Sequence, residues 1–224
     1  MRYAEPVEVK KFGRNECVKS VLVFAVNYII VLALVSLFIW VNTIGRAGED
    51  FIGYIDGNFN TVIYLMASIF VLFFTIYFYY FFEDKSVLCT VKSIWLIFLL
   101  LDVCVVICYF FGYFFNIYSR PIALLALLAL TLLGRRDAIF LNVIFALMMF
   151  SIDSFSNFSN VNEYENALNI TPLMTFSAGM VGIFVASRVK TRIRSFLTGF
   201  AVCLPILAMT ACLEFDRGQE LWYL

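Results

Sequence analysis

The chain has 224 residues, 63% of them apolar and 14% charged, with sixteen basic and sixteen acidic side chains, zero formal charge and no histidine. A soluble domain carries about 45–50% apolar and about 25% charged residues, so this composition excludes an ordinary water-soluble fold. The missing histidine excludes Ser–His–Asp triads, HExxH zinc sites and imidazole acid–base chemistry from the polypeptide.

A transmembrane helix needs about 20 residues, with a usual range of roughly 17–25. Residues 20–45 and 57–82 are charge-free stretches of 26 residues each. Residues 92–119 hold a third apolar run, interrupted only by Asp102, and residues 121–134, 138–152, 166–187 and 195–213 supply four more. The first run is too long for a signal-peptide core of about 7–15 residues and lacks a small-x-small cleavage pattern, so it reads as a retained helix. The fourth and fifth runs, 14 and 15 residues around Gly134-Arg135-Arg136-Asp137, are short. They read as two spans, lengthened at their outer ends by residues 117–119 and 154–158, or as a hairpin that does not cross fully. Two spans are preferred, because a hairpin dipping in from outside would carry two arginines deep into hydrocarbon.

Loops assigned alternately from an inside start place thirteen of the sixteen Lys and Arg on the inner side and only Arg46, Arg120 and Arg217 on the outer side. That is the bias of the positive-inside rule. The expected architecture is therefore an all-α polytopic membrane bundle of about seven transmembrane helices with its N-terminus inside. It divides into a cytoplasmic tail over residues 1–16, the bundle over residues 17–213 and a short extracytoplasmic tail over residues 214–224. The longest outer connection, residues 153–171, contains Asn157-Phe158-Ser159 and Asn169-Ile170-Thr171, sequons that are frequent by chance.

Few side chains are candidates for chemistry. Asp102 is the only acidic side chain well inside a predicted span, and no Lys or Arg joins it there. Intramembrane carboxylates are expensive, so it reads either as an ion- or proton-handling group or as a packing contact with Asn142, Thr131 or another hydroxyl. Ala178, Gly182 and Ala186 form a small-xxx-small stripe for close helix approach. Pro121 and Pro172 are expected at helix starts, and Pro205 inside the last span, as a kink or hinge. An aromatic block from Phe73 to Phe82 reads as an interfacial belt or a stacking site. Arg188, Lys190, Arg192 and Arg194 form a cytoplasmic cluster suited to anionic headgroups or an acidic partner. The six cysteines form no CxxC, and Cys104 and Cys108 alone make a poor metal site. No Walker loop, GxGxxG, nucleophile elbow or paired carboxylates occur, and no catalytic residue, cofactor, metal or nucleic-acid partner is expected.

Residues 120–149 run Arg-Pro-Ile-Ala-Leu-Leu-Ala-Leu-Leu-Ala-Leu-Thr-Leu-Leu-Gly-Arg-Arg-Asp-Ala-Ile-Phe-Leu-Asn-Val-Ile-Phe-Ala-Leu-Met-Met. This proline-initiated helix, short basic turn and second helix resembles a segment of the seven-transmembrane receptors with an intracellular HD hydrolase domain. Gly179-Met180-Val181-Gly182-Ile183-Phe184, the basic residues from Arg188 to Arg194, and Ser195-Phe196-Leu197-Thr198-Gly199 resemble that family's next helix pair. The resemblance covers residues 60–212. It implies the bacterial cytoplasmic membrane, a relay of an outside signal, and a cytoplasmic HD domain that hydrolyses cyclic di-AMP. The chain departs from the family in three respects: only eleven residues, 46–56, separate Gly45 from the second span where the family carries a large outer domain, its C-terminus is expected outside, and the histidine ligands of an HD domain are missing. The phosphodiesterase activity therefore carries over to no residue here.

The expected function is a non-catalytic sensory or regulatory membrane module whose partners are the bilayer and a cytoplasmic signalling domain or protein. The alternative is a small-molecule transporter or substrate-capture subunit, in which Asp102 and the aromatic block would line one pocket. A scaffold in envelope assembly is a third reading without a positive sign.

Overall fold

The computed structural model describes residues 14–42, 51–57, 59–83, 85–115, 117–155, 164–188 and 192–216, with several helix ends, residues 164–170 and 192–197 among them, described by backbone alone. In chain order the helices are α1 (Arg14–Asn42), α2 (Phe51–Gly57), α3 (Phe59–Glu83), α4 (Lys85–Cys89), α5 (Val91–Phe114), α6 (Leu124–Leu132), α7 (Arg135–Phe155), α8 (Tyr164–Ala186) and α9 (Arg192–Asp216), with a 3-10 turn at Ile117–Ser119. Among the described residues there is no strand. In hydrocarbon, backbone polar groups must be satisfied within the segment, which leaves helices as the solution for apolar runs of this length.

Four stretches are long and apolar enough to cross a bilayer: Cys17–Val41, Phe59–Glu83, Val91–Phe114 and Arg135–Ser154. The apolar stretches Thr171–Ala186 and Thr198–Cys212 are shorter. In α3 only 22% of the most apolar window is buried inside the molecule, so most of that surface must face lipid. Phe98 of α5 forms the centre of the first half of the bundle, 4.9 Å from the Phe24 ring of α1 and 4.7 Å from the Phe73 ring of α3. Further along α5, the Tyr109 ring stacks on Phe38 of α1 at 3.9 Å, and its hydroxyl donates to the Phe38 carbonyl at 2.8 Å. A buried tyrosine keeps its apolar body in the core only by finding such an acceptor.

The fourth run differs from the expected simple span. Its regular part, α6, has nine residues, about 14 Å of rise, which cannot cross a bilayer alone. Pro121 explains the break, because it lacks an N–H and holds the residue before it away from helical geometry. The 3-10 turn and a tight turn at residues 120–123 complete the passage. Asp153, which Arg120 reaches, is eighteen residues beyond Arg135 on α7, roughly 27 Å along that helix. Residues 117–134 therefore accompany nearly the whole of α7. Between the two, Gly134 adopts φ 115°, and its N–H and that of Leu133 both donate to the Ala129 carbonyl, at 3.1 and 2.8 Å, closing α6 with a left-handed cap.

A second correction concerns Pro172. It was expected at a helix start but lies inside α8, which begins at Tyr164; Pro205 lies inside α9 as expected. Membrane helices tolerate such prolines because neighbours and local adjustments re-satisfy the freed carbonyl. α7 is the central element, packing on α3, α5, α6 and α8, while α8 also packs on α6 and α9.

Candidate functional site

Two ion pairs lie at opposite ends of the bundle. At one end, Arg136 at the start of α7 pairs with Glu83 at the end of α3. The Tyr79 hydroxyl donates to Asp137 at 3.3 Å, and the Tyr79 ring stacks on Phe140 at 3.7 Å. Arg135 lies 4.8 Å over the ring of Phe184 near the end of α8. This end therefore gathers the close of α3, the α6–α7 turn and the close of α8, with exposed Arg135, Arg136 and Arg188.

At the other end the chain leaves α5 through Phe115, whose N–H donates to the Phe111 carbonyl at 3.1 Å, and passes the 3-10 turn. Ile122 then donates to the Arg120 carbonyl at 2.8 Å and Leu124 to the Pro121 carbonyl at 2.9 Å. The reversal turns the Arg120 side chain inward. Its guanidinium meets the Asp153 carboxylate of α7 in a bidentate pair, Nη1 to Oδ2 at 2.5 Å and Nη2 to Oδ1 at 3.0 Å, with the two side chains 1% and 0% exposed. The planar fork of arginine suits two parallel bonds to a carboxylate, and lysine could not reproduce them. The guanidinium lies across Gly112 of α5, where a Cβ would stand 2.2 Å from Nε. Only glycine leaves that room.

The same irregular segment reaches two more helices. Ile122 is buried with Met174 and Ala178 of α8, and Val202, Ile206 and Met209 of α9 pack against them. Residues 117–123 thus tie α5, α7, α8 and α9 together at one end of the bundle. Sequence reasoning missed this site by assigning Arg120 and Asp153 to outer connections, whereas both side chains are buried. One signal was present: a lone arginine before Pro121 and a lone aspartate after Ile152 close the outer ends of neighbouring runs.

Asp102 sits midway along α5, half-buried, and its Oδ1 has no hydrogen-bond partner among the described residues. The packing partners suggested for it bond elsewhere. Asn142 donates from Nδ2 to the Phe176 carbonyl of α8 at 3.0 Å, and Thr131 donates to the Leu128 carbonyl at 2.8 Å. In the small-residue stripe, Ala178 is buried against Ile122, and a Cβ on Gly182 would lie 3.3 Å from Val202 and 3.4 Å from Leu127. Ala186 is half-exposed, and Arg188 is exposed. Lys190 lies outside the described residues, as do the side chains of Arg192 and Arg194. Pro205 adjoins Ile206, within the part of α9 that packs toward Ile122. The aromatic block divides: Phe73 and Tyr80 are buried, whereas Phe74, Phe78 and Phe82 are exposed. It lines part of a cleft between α1 and α3, whose lining residues do not include Asp102. Cys104 and Cys108 are buried free thiols.

These features define a polytopic helical membrane protein with an irregular segment ahead of α6 and an internal ion pair. The family model described as 7TM receptor with intracellular HD hydrolase matches residues 57–224, and the chain belongs to that family. The matched region is the membrane part of these receptors, whose catalytic HD domain is separate. The resemblance expected over residues 60–212 is borne out over a somewhat longer stretch. No curated protein and no solved structure matches the chain.

Proposed function

We propose that the chain is a sensory or regulatory module of the bacterial cytoplasmic membrane, relaying a displacement at the Arg120–Asp153 end to a cytoplasmic HD hydrolase domain or partner. The observation that carries this reading is the segment 117–123, which engages α5 through Gly112, α7 through Asp153, and α8 and α9 through Ile122. A buried ion pair resists separation, because parting it leaves an uncompensated charge in the interior, so Arg120 and Asp153 are expected to move together. Movement of this segment would be passed along α8 and α9, which approach closely at Gly182. Pro205 gives α9 a weak point beside the contact, since proline removes one helical hydrogen bond. The basic residues Arg188, Lys190, Arg192 and Arg194 would then present the change to an acidic surface or to anionic headgroups.

In this reading residues 1–16 form the cytoplasmic tail, residues 17–213 the bundle and residues 214–224 an outer tail. Support for the orientation comes from the end that gathers Arg135, Arg136 and Arg188, since basic residues favour the cytoplasmic side. Arg120 at the other end is neutralised by Asp153 and so weighs little against it.

Two measurements test the proposal. In a chain whose own six cysteines are replaced by alanine, an impermeant thiol reagent on intact cells is expected to label Phe115→Cys and spare Ser187→Cys; the reverse pattern would refute the orientation. Spin labels at residues 132 and 187 in liposomes are expected to show a shifted or broadened distance in Asp153→Asn. An unchanged distribution, with the protein folded, would sink the relay.

A further inference from the structure

A cleft of about 310 Å³ runs between α1 and α3, lined by Phe24, Tyr28, Phe70, Phe73, Phe74 and Tyr77 among others. Phe24 and Phe73 are buried and form its floor, while Val21, Phe70 and Phe74 are more than half exposed and form its rim. The rings are held by mutual edge contacts, Phe24 to Tyr77 at 5.3 Å and Tyr28 to Phe70 at 5.8 Å. Tyr28 closes one end by donating to the Met66 carbonyl at 3.1 Å. The cleft thus opens sideways, onto helix faces that meet lipid. Its volume is at the low end of the roughly 300–1,000 Å³ of ligand pockets, which suits a slender chain and not a bulky polar ligand.

The opposite end carries positive charge. Phe81 stacks on Tyr77 at 6.3 Å, and Lys85 Nζ lies 5.0 Å over the Phe81 ring. We propose that the cleft holds one acyl chain of an anionic membrane phospholipid, with its phosphate at the Lys85 end. A hydrocarbon chain gains no transfer energy on moving from lipid to an apolar cleft. Ring packing therefore fixes the chain's position, and the charge at Lys85 selects the headgroup. This site does not depend on the sensory reading of the module.

The test uses the full chain in nanodiscs containing phosphatidylglycerol or phosphatidylcholine with identical diazirine-bearing acyl chains. After photolysis, labelled peptides are mapped. Labelling is expected to concentrate at residues 21–28 and 70–77, with phosphatidylglycerol ahead by about fivefold for each basic side chain involved. Lys85→Gln is expected to reduce that preference without moving the labelled positions, and Ala25→Trp to fill the cleft and displace both lipids. Equal labelling by the two lipids in the unaltered chain overturns the headgroup selection. Labelling spread evenly onto other lipid-facing residues, such as Leu99 and Phe111, means ordinary annular lipid and overturns the site. Absence of label from the cleft, or undiminished cleft labelling in a helical Ala25→Trp protein, does the same.

Discussion

The carboxamide of Asn142 on α7 fills the space where a side chain at Gly179 of α8 would begin: a Cβ there would stand 2.0 Å from Oδ1. Nδ2 donates to the Phe176 carbonyl at 3.0 Å. Oδ1 has no hydrogen-bond partner among the described residues, but it lies against the Gly179 backbone, where a Cα–H is a weak donor. Arg120 uses Gly112 in the same way. Each glycine is a notch that admits a polar side chain from a neighbouring element into the bundle.

Gly179→Ala should therefore destabilise the protein by about 1–3 kcal/mol, the usual cost of overpacking a close-packed interior. Asn142→Ala should cost less, about 0.6 kcal/mol and at most about 1.7, the range for interhelical hydrogen bonds in membranes. The double variant should lose less than the sum, because removing the carboxamide vacates the notch. Unfolding in detergent checks this, and strict additivity would show that the two positions do not compete for space.

Arg120→Gln and Asp153→Asn should each cost about 3–5 kcal/mol, since each strands a buried charge. Replacing both with leucine should cost clearly less than either single change. Gly112→Ala should resemble the single variants, because the new methyl group displaces the guanidinium. If the singles proved no worse than the double in the same unfolding assay, the pair could not be desolvated as described.

Gly134→Ala tests a different cause. No atom lies within 4 Å of a Cβ built there, yet φ is +115°. The cost, about 1–2 kcal/mol, should be conformational, and no compensating truncation nearby should relieve it. A neighbouring substitution that rescued stability would point to a steric origin instead.

The Arg136–Glu83 pair should behave unlike the Arg120–Asp153 pair. Its side chains are 65% and 37% exposed, and exposed pairs contribute about 0–1 kcal/mol. Arg136→Gln should thus leave the unfolding transition within about 1 kcal/mol of the parent. Combined with Arg135→Gln, it should instead raise the fraction of chains inserted in the opposite sense, read by labelling of Ser187→Cys on intact cells in a chain otherwise free of cysteine.

Much of the architecture was legible because apolar length is a local property. The runs over residues 92–119 and 138–152 correspond to α5 (Val91–Phe114) and α7 (Arg135–Phe155). The family was legible from the proline, the basic turn and the glycine-rich helix that follows. Pro172 misled because a proline often marks a helix start in water, whereas a membrane helix continues through it. The break near Arg120 was hidden by an apolar run that looks uniform although its backbone is not. Asp102 stood out for its isolation, yet it joins none of the polar contacts described between helices.

Sequence by itself determined the solvent of this protein, the helices it needs and the family to which it belongs, because hydrophobic length and local motifs are written along the chain. Only the tertiary structure decided that Arg120 meets Asp153 over Gly112 and that Asn142 lies on Gly179. Such contacts depend on the depth and facing of side chains on different helices, and neither is a property of any single stretch of sequence.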